Sequence, residues 1–309
     1  MSSTLLPNYP EYGRAFVNYL KGDLSAAETL SMGYNTGIST YEAPTPMQAS
    51  IYKAVKKASV FRNVCTVMSA RNSGYRLLAK DTDDLAQFVE EGGQIPIYEG
   101  IRDFTTKTVN AHKLAVFVKL DEDFVLDAAF DIEDYICKRV GKNTGRAEDK
   151  AFITGDGVKE PAGILHDTDG AQVGKTSGAL TYDDVIELYF SVKPEYRSNG
   201  MWLMNDETAL ALRKLKDADG NYLWNSENDT ILGKPVRISE FMPSVGAGTK
   251  PVAFGDFSYY WIIDRKPVSM RILTEKFAAF DQIGYLALEF LDGKLIRPDA
   301  VKVLQITGE

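Results

Sequence analysis

Glu90 and Glu91 stand side by side in FVEEGGQIP (Phe88 to Pro96), and paired carboxylates are the raw material of acid–base catalysis. They fall at the tip of a polar, glycine-rich hairpin, and nothing in the sequence sets their two environments apart. A solvated or intersubunit contact fits them better than catalysis. His112 lies inside an extended run and His166 in a linker, and neither has a partner at metal-ligand spacing. Cys65 and Cys137 are the only cysteines. They lack CxxC spacing and read as two buried thiols of a reduced compartment. GDGVKEPAG (Gly155 to Gly163) has the glycines of a phosphate loop without the Gly-Lys-Ser/Thr that opens a helix. Its glycines follow a helical pattern and precede Pro161, which stops and turns the chain. DTDG (Asp167 to Gly170) and DADG (Asp217 to Gly220) lack the further acids of a calcium loop and fit tight turns. No GxSxG element occurs. The sequence therefore names no catalytic residue, no metal ligand set and no cofactor site.

The elements around these motifs say more. From Asp131, Ile132, Ile136 and Val140 fall at i, i+4 and i+8, and Ala147 and Ala151 continue the face. Glu133, Asp134, Lys138, Arg139, Lys142, Arg146, Glu148 and Asp149 alternate in sign on the other side, which predicts a solvated surface. The pattern predicts a helix over 131–153, about 22 residues and roughly 33 Å long. Gly141 and Gly145 lie inside it and predict a flexible joint. Residues 1–45 are polar and loop-rich, with Tyr12, Phe16, Tyr19 and Leu20 on one short helical face. They read as an arm ordered by contact with something else. Met47 to Phe61 predicts a helix and Val64 to Met68 a strand. Gly74 to Lys80 and Phe104 to Leu120 predict the legs of a long hairpin, with Gly92 and Gly93 as a joint near its tip. Such a ribbon has little core of its own.

Asp167 to Gly178 reads as a polar linker. Tyr182 to Val192 and Asp206 to Lys216 predict helices around a buried strand, Gly200 to Met204. Strands follow near Pro235 to Ile238, Val252 to Phe254, Tyr259 to Asp264, Ser269 to Leu273 and Leu295 to Gln305. Phe277 to Phe290 fits neither period. The class is α+β, with no βαβ repetition. At 309 residues and 44% hydrophobic, the chain can bury the cores of two lobes. A net charge of −8 argues against a sequence-specific nucleic-acid binder, which shows a clustered basic face. No apolar stretch is long enough to predict a membrane span, and the N-terminus lacks a signal pattern.

The order and spacing of several short motifs resemble the major capsid proteins of tailed bacteriophages with the Hong Kong 97 fold. These are FVEEGGQIP, AFITGDGVKEPAGIL (Ala151 to Leu165), MWLMN (Met201 to Asn205), LKDADGNYLW (Leu215 to Trp224), ILGKPV (Ile231 to Val236), FGDF (Phe254 to Phe257) and IRPDAV (Ile296 to Val301). PEYGRAFVNYL (Pro10 to Leu20) resembles the segment at the start of the family's arm. The resemblance covers almost the whole chain. It implies an N-arm (1–45), a peripheral domain (46–70, 119–177 and 266–294) carrying the long spine helix, an E-loop hairpin (71–118), an axial domain (178–265) and a C-terminal strand (295–309) rejoining it. It implies a structural subunit, not an enzyme, that forms hexamers and pentamers of an icosahedral virion shell around double-stranded DNA, contacted non-specifically. Phe88, Glu90, Glu91, Tyr12 and Phe16 become expected intersubunit contacts. Portal and scaffolding proteins, and a decoration protein in some members, become expected partners, with no membrane. Assembly is expected in the host cytoplasm, with scaffolding either a separate protein or a segment already removed.

Some members cross-link through a lysine, an asparagine and an assisting glutamate. The matching positions here are Gly92, Asp281 and Leu288, with Glu289 beside the last, so no cross-link is expected. Encapsulin compartments share the architecture and enclose cargo enzymes. The long arm and the GDG…PAGIL segment favour the phage-type branch. A soluble α+β enzyme is the reading from another class, and it requires a pocket of convergent polar groups.

Overall fold

The computed structural model describes residues 45–69, 76–78, 88–89, 106–127, 131–216, 222, 224 and 230–308. Residues 1–44 of the expected arm, with Tyr12 and Phe16, and Glu90, Glu91, Gly92 and Gly93 lie outside the described residues. In chain order, helices α1 (Thr45–Ala58) and α2 (Phe61–Val64) lead to strands β1 (Thr66–Ser69), β2 (Arg76–Leu78), β3 (Thr106–Thr108) and β4 (His112–Asp121). Helices α3 (Glu122–Asp127) and α4 (Ile132–Thr154) follow, then β5 (Gln172–Ser177), α5 (Tyr182–Ser191), α6 (Pro194–Arg197), β6 (Met201–Met204) and α7 (Asp206–Arg213). Strands β7 (Thr230–Ile231), β8 (Lys234–Ile238), β9 (Val252–Gly255), β10 (Tyr260–Leu273), β11 (Gln282–Leu295) and β12 (Val301–Ile306) complete the order.

These elements group into two compact units. Unit 1 takes the chain to Asn63, His112–Ala151 and Asp264–Leu291, and unit 2 takes Val64–Ala111, Phe152–Ile263 and Asp292–Glu309. In unit 1, α4 buries Ile132, Ile136, Cys137 and Val140 in one apolar cluster with Ile51 and Val55 of α1, Val268, Met270 and Ile272 of β10, and Ile283, Tyr285 and Ala287 of β11. Glu133 and Asp134 in the first turn of α4 complement the helix dipole. Strand β11 pairs antiparallel with β4 from Gln282↔Asp121 to Leu291↔His112. Strands β10, β11 and β4 are neighbours in that order, so β4 is an edge strand among the described residues. Its burial alternates along the strand, and Lys113, Phe117 and Lys119 are exposed.

In unit 2, six strands run in the order β5-β12-β9-β6-β8-β7. MWLM (β6) and VAFG (β9) are buried at every position, as strands covered on both faces must be. Trp202 and Phe254 meet at 4.3 Å between ring centroids, and Tyr189 lies 5.0 Å from Phe254. Helix α5 begins at a capping box, in which Thr181 and Asp184 each bond the other's backbone N–H (3.2 and 3.0 Å). Helix α7 is capped by Asn205, whose Oδ1 accepts from Thr208 N at 2.7 Å. Strands β6 and β8 pair in parallel, which requires a crossover, and α7 supplies it.

Several expectations need revision. The polar linker 167–178 contains strand β5, paired in parallel with β12, and this places residues 172–177 in the sheet of unit 2. The second hairpin leg is two strands. β3 pairs antiparallel with β2 (Arg76↔Thr108 to Leu78↔Thr106), whereas β4 belongs to the sheet of unit 1. The two strands expected over 259–273 are one, β10, and the ambiguous stretch is a 3-10 turn (Glu275–Phe280) followed by β11. Only one of the two cysteines is buried: Cys137 is 3% exposed, Cys65 is half-buried, and neither forms a disulfide.

Candidate functional site

The largest departure from the sequence reading lies on α4. Glu148 and Asp149 were expected on its solvated face, yet they are 1% and 3% exposed. Glu148 accepts from Arg62 Nε (2.6 Å) and Nη2 (2.7 Å) in a bidentate fork. Asp264 takes Nη1 at 2.9 Å and Nη2 at 3.0 Å, and Glu289 takes Nη2 at 3.0 Å. Four segments of unit 1 (α2, α4, β10 and β11) thus converge on one guanidinium. Arg62 offers the planar, five-donor geometry that a lysine cannot.

One cation among three carboxylates leaves an excess of negative charge away from water. Burial opposes the charge on Arg62, but hydrogen bonds and attraction from Glu148 and Asp264 outweigh it and raise its pKa. Burial, then repulsion from Glu148, pushes Glu289 well above the usual carboxylate range. Burial also raises Glu148, against the pull of Arg62. Glu289 Oε2 has no hydrogen-bond partner among the described residues. A proton held by Glu289 relieves the excess charge, which is the arrangement its raised pKa describes.

Asp149 does a different task. Its carboxylate accepts from Ser59 Oγ at 2.5 Å, Val60 N at 2.7 Å and Phe61 N at 3.2 Å, capping the start of α2 from another helix. Next to it, α1 lies directly on α4. A Cβ at Gly141 would come within 2.4 Å of Ala54 Cβ, and one at Gly145 within 2.8 Å of the Val55 carbonyl oxygen. The two glycines lie within one unbroken helix and form a seat for α1, which gives a packing reason for residues expected to be a flexible joint.

The GDG turn after α4 is held tightly within unit 2. Asp156 Oδ1 accepts from the backbone N–H groups of Val158, Lys159 and Glu160 at 2.9, 2.9 and 3.1 Å. These bonds depress its pKa to about 2. Ile164 N and Leu165 N return to the carbonyls of Phe152 and Ile153 at 2.8 and 3.0 Å. Gly163 fits because a Cβ there would meet the Ile153 carbonyl oxygen at 2.4 Å. The anionic group at this loop is the protein's own Asp156.

Among the other expected positions, Phe88 is fully exposed. Asp281 is exposed and adopts a left-handed conformation (φ 50°) that ends the 3-10 turn. Leu288 is buried on β11. Glu289 is turned to the opposite side of the strand, toward Arg62. No group of three or more His, Cys, Asp or Glu among the described residues is placed to hold a metal, and no described helix is long and apolar enough to cross a membrane. Arg62, the residue on which unit 1 converges, went unread in the sequence. Its signal was a charge inside an apolar run, SVFRNVC, matched by Glu289 inside YLALEFL.

This architecture has known counterparts. The phage capsid family matches residues 40–306. The chain belongs to the phage capsid family. Its fold is the Hong Kong 97-type capsid fold of tailed-phage major capsid proteins. The capsid of an empty GTA particle is 30% identical, over 81% of this chain and 90% of that one, with a TM-score of 0.67. The capsid of a native GTA particle is 29% identical, over 92% and 98%, with the same TM-score. A Mycobacterium phage Bobi chain, 18% identical over 82% and 91% with a TM-score of 0.58, shares the fold. No curated protein matches. As a family member the chain is a structural protein that self-assembles into a capsid shell.

Proposed function

We propose that this capsid subunit forms hexamers and pentamers of an icosahedral shell enclosing double-stranded DNA, without covalent cross-linking. The match to the phage capsid family over residues 40–306 carries the reading. A net charge of −8 supports a container that does not grip phosphates, since neutralising contacts would bind the DNA tightly. Portal and scaffolding proteins, with a decoration protein as in some family members, are the partners this role calls for, with assembly in the host cytoplasm. Electron microscopy of the purified chain should show closed particles built of capsomers. Discrete monomers under every assembly condition would sink the reading.

The chemistry at the family's cross-link positions supports the second half. Gly92 offers no amine, Asp281 no carboxamide and Leu288 no carboxylate. The adjacent Glu289 faces the other side of β11 and is held by Arg62. Particles boiled in detergent should therefore run as single chains, whereas a ladder of linked chains would overturn this. The E-loop contacts remain part of the proposal. Reversing charge at Glu90 and Glu91 should impair shell formation more than folding, and Gly92 and Gly93 supply the joint that two capsomer environments demand.

A further inference from the structure

Helices α5 and α7 cover the same side of the sheet in unit 2. Val185, Leu188, Ala209 and Leu212 share one apolar cluster with Trp202, Met204, Phe254 and Leu304. Their outward surfaces differ. Between α7 and β8 lies a cleft of about 330 Å³, lined chiefly by Leu210, Trp224, Val236 and Ile238, with Asp206 and Arg213 at its polar side. Leu210 is 53% exposed. Arg213 is occupied over the Trp224 ring at 4.8 Å. Asp206 makes no ion pair among the described residues.

Helix α5 presents the converse shape. Phe190 projects with 64% of its surface exposed. Its ring meets Tyr189 edge-on at 5.2 Å, and the Arg197 guanidinium lies over it at 5.1 Å. Arg197 also touches Tyr189 at 5.4 Å, but it meets no carboxylate among the described residues, and its Nε lacks an acceptor. Unit 2 therefore carries an aromatic knob beside a cation, and elsewhere an apolar cleft beside an anion, neither with an ion-pair partner among the described residues. Two dissimilar, complementary patches on one chain are what a head-to-tail contact requires, and such contacts generate rings when they close. A cavity of about 150 Å³ already accepts benzene, so the cleft has room for a ring.

We propose that Phe190 of one copy seats in the α7–β8 cleft of a neighbouring copy, with Arg197 pairing to Asp206 across the contact. The inference rests on the reading of the chain as a self-assembling shell subunit and names one contact by which it does so. Aromatic residues and arginine are enriched at protein interfaces, and a few buried anchors carry most of the binding energy.

The test uses the full chain and follows assembly by light scattering and electron microscopy, with thermal melts to confirm folding. Phe190→Ala and Leu210→Glu both alter exposed positions. Each should weaken association about tenfold or more while the melt stays unchanged. Arg197→Glu and Asp206→Arg should each impair assembly, and the double reversal should restore it. Wild-type particles with unaffected Phe190→Ala and Leu210→Glu assembly would overturn this contact and leave the shell reading standing. A failure of the double reversal to restore what both single reversals lose would overturn the Arg197–Asp206 pairing. No particles from the wild type would overturn both.

Discussion

Unit 1 and unit 2 solve the same problem with opposite chemistry. Unit 1 brings a guanidinium and three carboxylates to its interior, whereas unit 2 fills its centre with Trp202, Phe254 and Tyr189. Aromatic packing is strong and tolerant of small shifts. A buried charge cluster adds little net stability, because desolvation offsets the attraction. What it adds is selectivity, since the Arg62 guanidinium is fully engaged only where the four segments meet. The contrast implies that unit 1 is built for one alignment of spine helix and sheet, and unit 2 for cohesion.

The sharpest way to break the contrast is to remove the cation. Arg62→Met leaves buried carboxylates without a partner and should cost about 3–5 kcal/mol in denaturant titrations. Adding Glu148→Leu and Glu289→Leu should recover most of that loss, and a triple variant as unstable as the single one would argue against a charge-based role. In unit 2 a comparable loss should come from pure packing. Phe254→Ala should cost about 3–5 kcal/mol with no dependence on salt. Next in size is Gly141→Ala. Overpacking against Ala54 predicts a loss of about 1–3 kcal/mol, whereas a gain of about 1 kcal/mol, as intrinsic helix propensity alone gives, would favour the reading of Gly141 as a joint.

Two smaller effects depend on pH. Glu289 has a raised pKa, so its contribution is complete below the ordinary glutamate range near 4.5 and is lost as pH rises toward its folded value. Glu289→Gln should flatten the decline in stability that the wild type shows as pH rises above the ordinary glutamate range. A slope unchanged from wild type would show that Glu289 does not hold the proton. Asp156 works in the other direction. Its contribution is present above the usual 3.8 and is lost as pH falls toward about 2. Asp156→Asn should shrink the acid-side drop in melting temperature, the smallest change of the five.

Legibility in the sequence followed the same division. Helix α4 was readable because its apolar positions keep a 3.6 period, and α5 because Val185, Leu188 and Tyr189 do the same over a shorter span. Strand β10 read as two because Arg265, Lys266 and Pro267 interrupt its apolar run. Strand β5 was hidden because QVGKTS has weak alternation and its partner is the last strand of the chain. The Arg62 cluster was invisible for a related reason. Its bonds join residues 86, 202 and 227 positions apart, and periodicity carries no information over such separations. A solvated helical face and a buried ionic one have the same spelling.

Strand β4 has its own consequence. Among the described residues β4 is an open edge, and the backbone groups of such an edge are a template for unwanted pairing. Lys113 and Lys119 stand exposed along it, and lysines on an edge strand discourage its pairing with another edge. The positive charge there acts as a prohibition. It closes the one association every strand edge invites, and leaves the subunit's meetings to surfaces shaped for them.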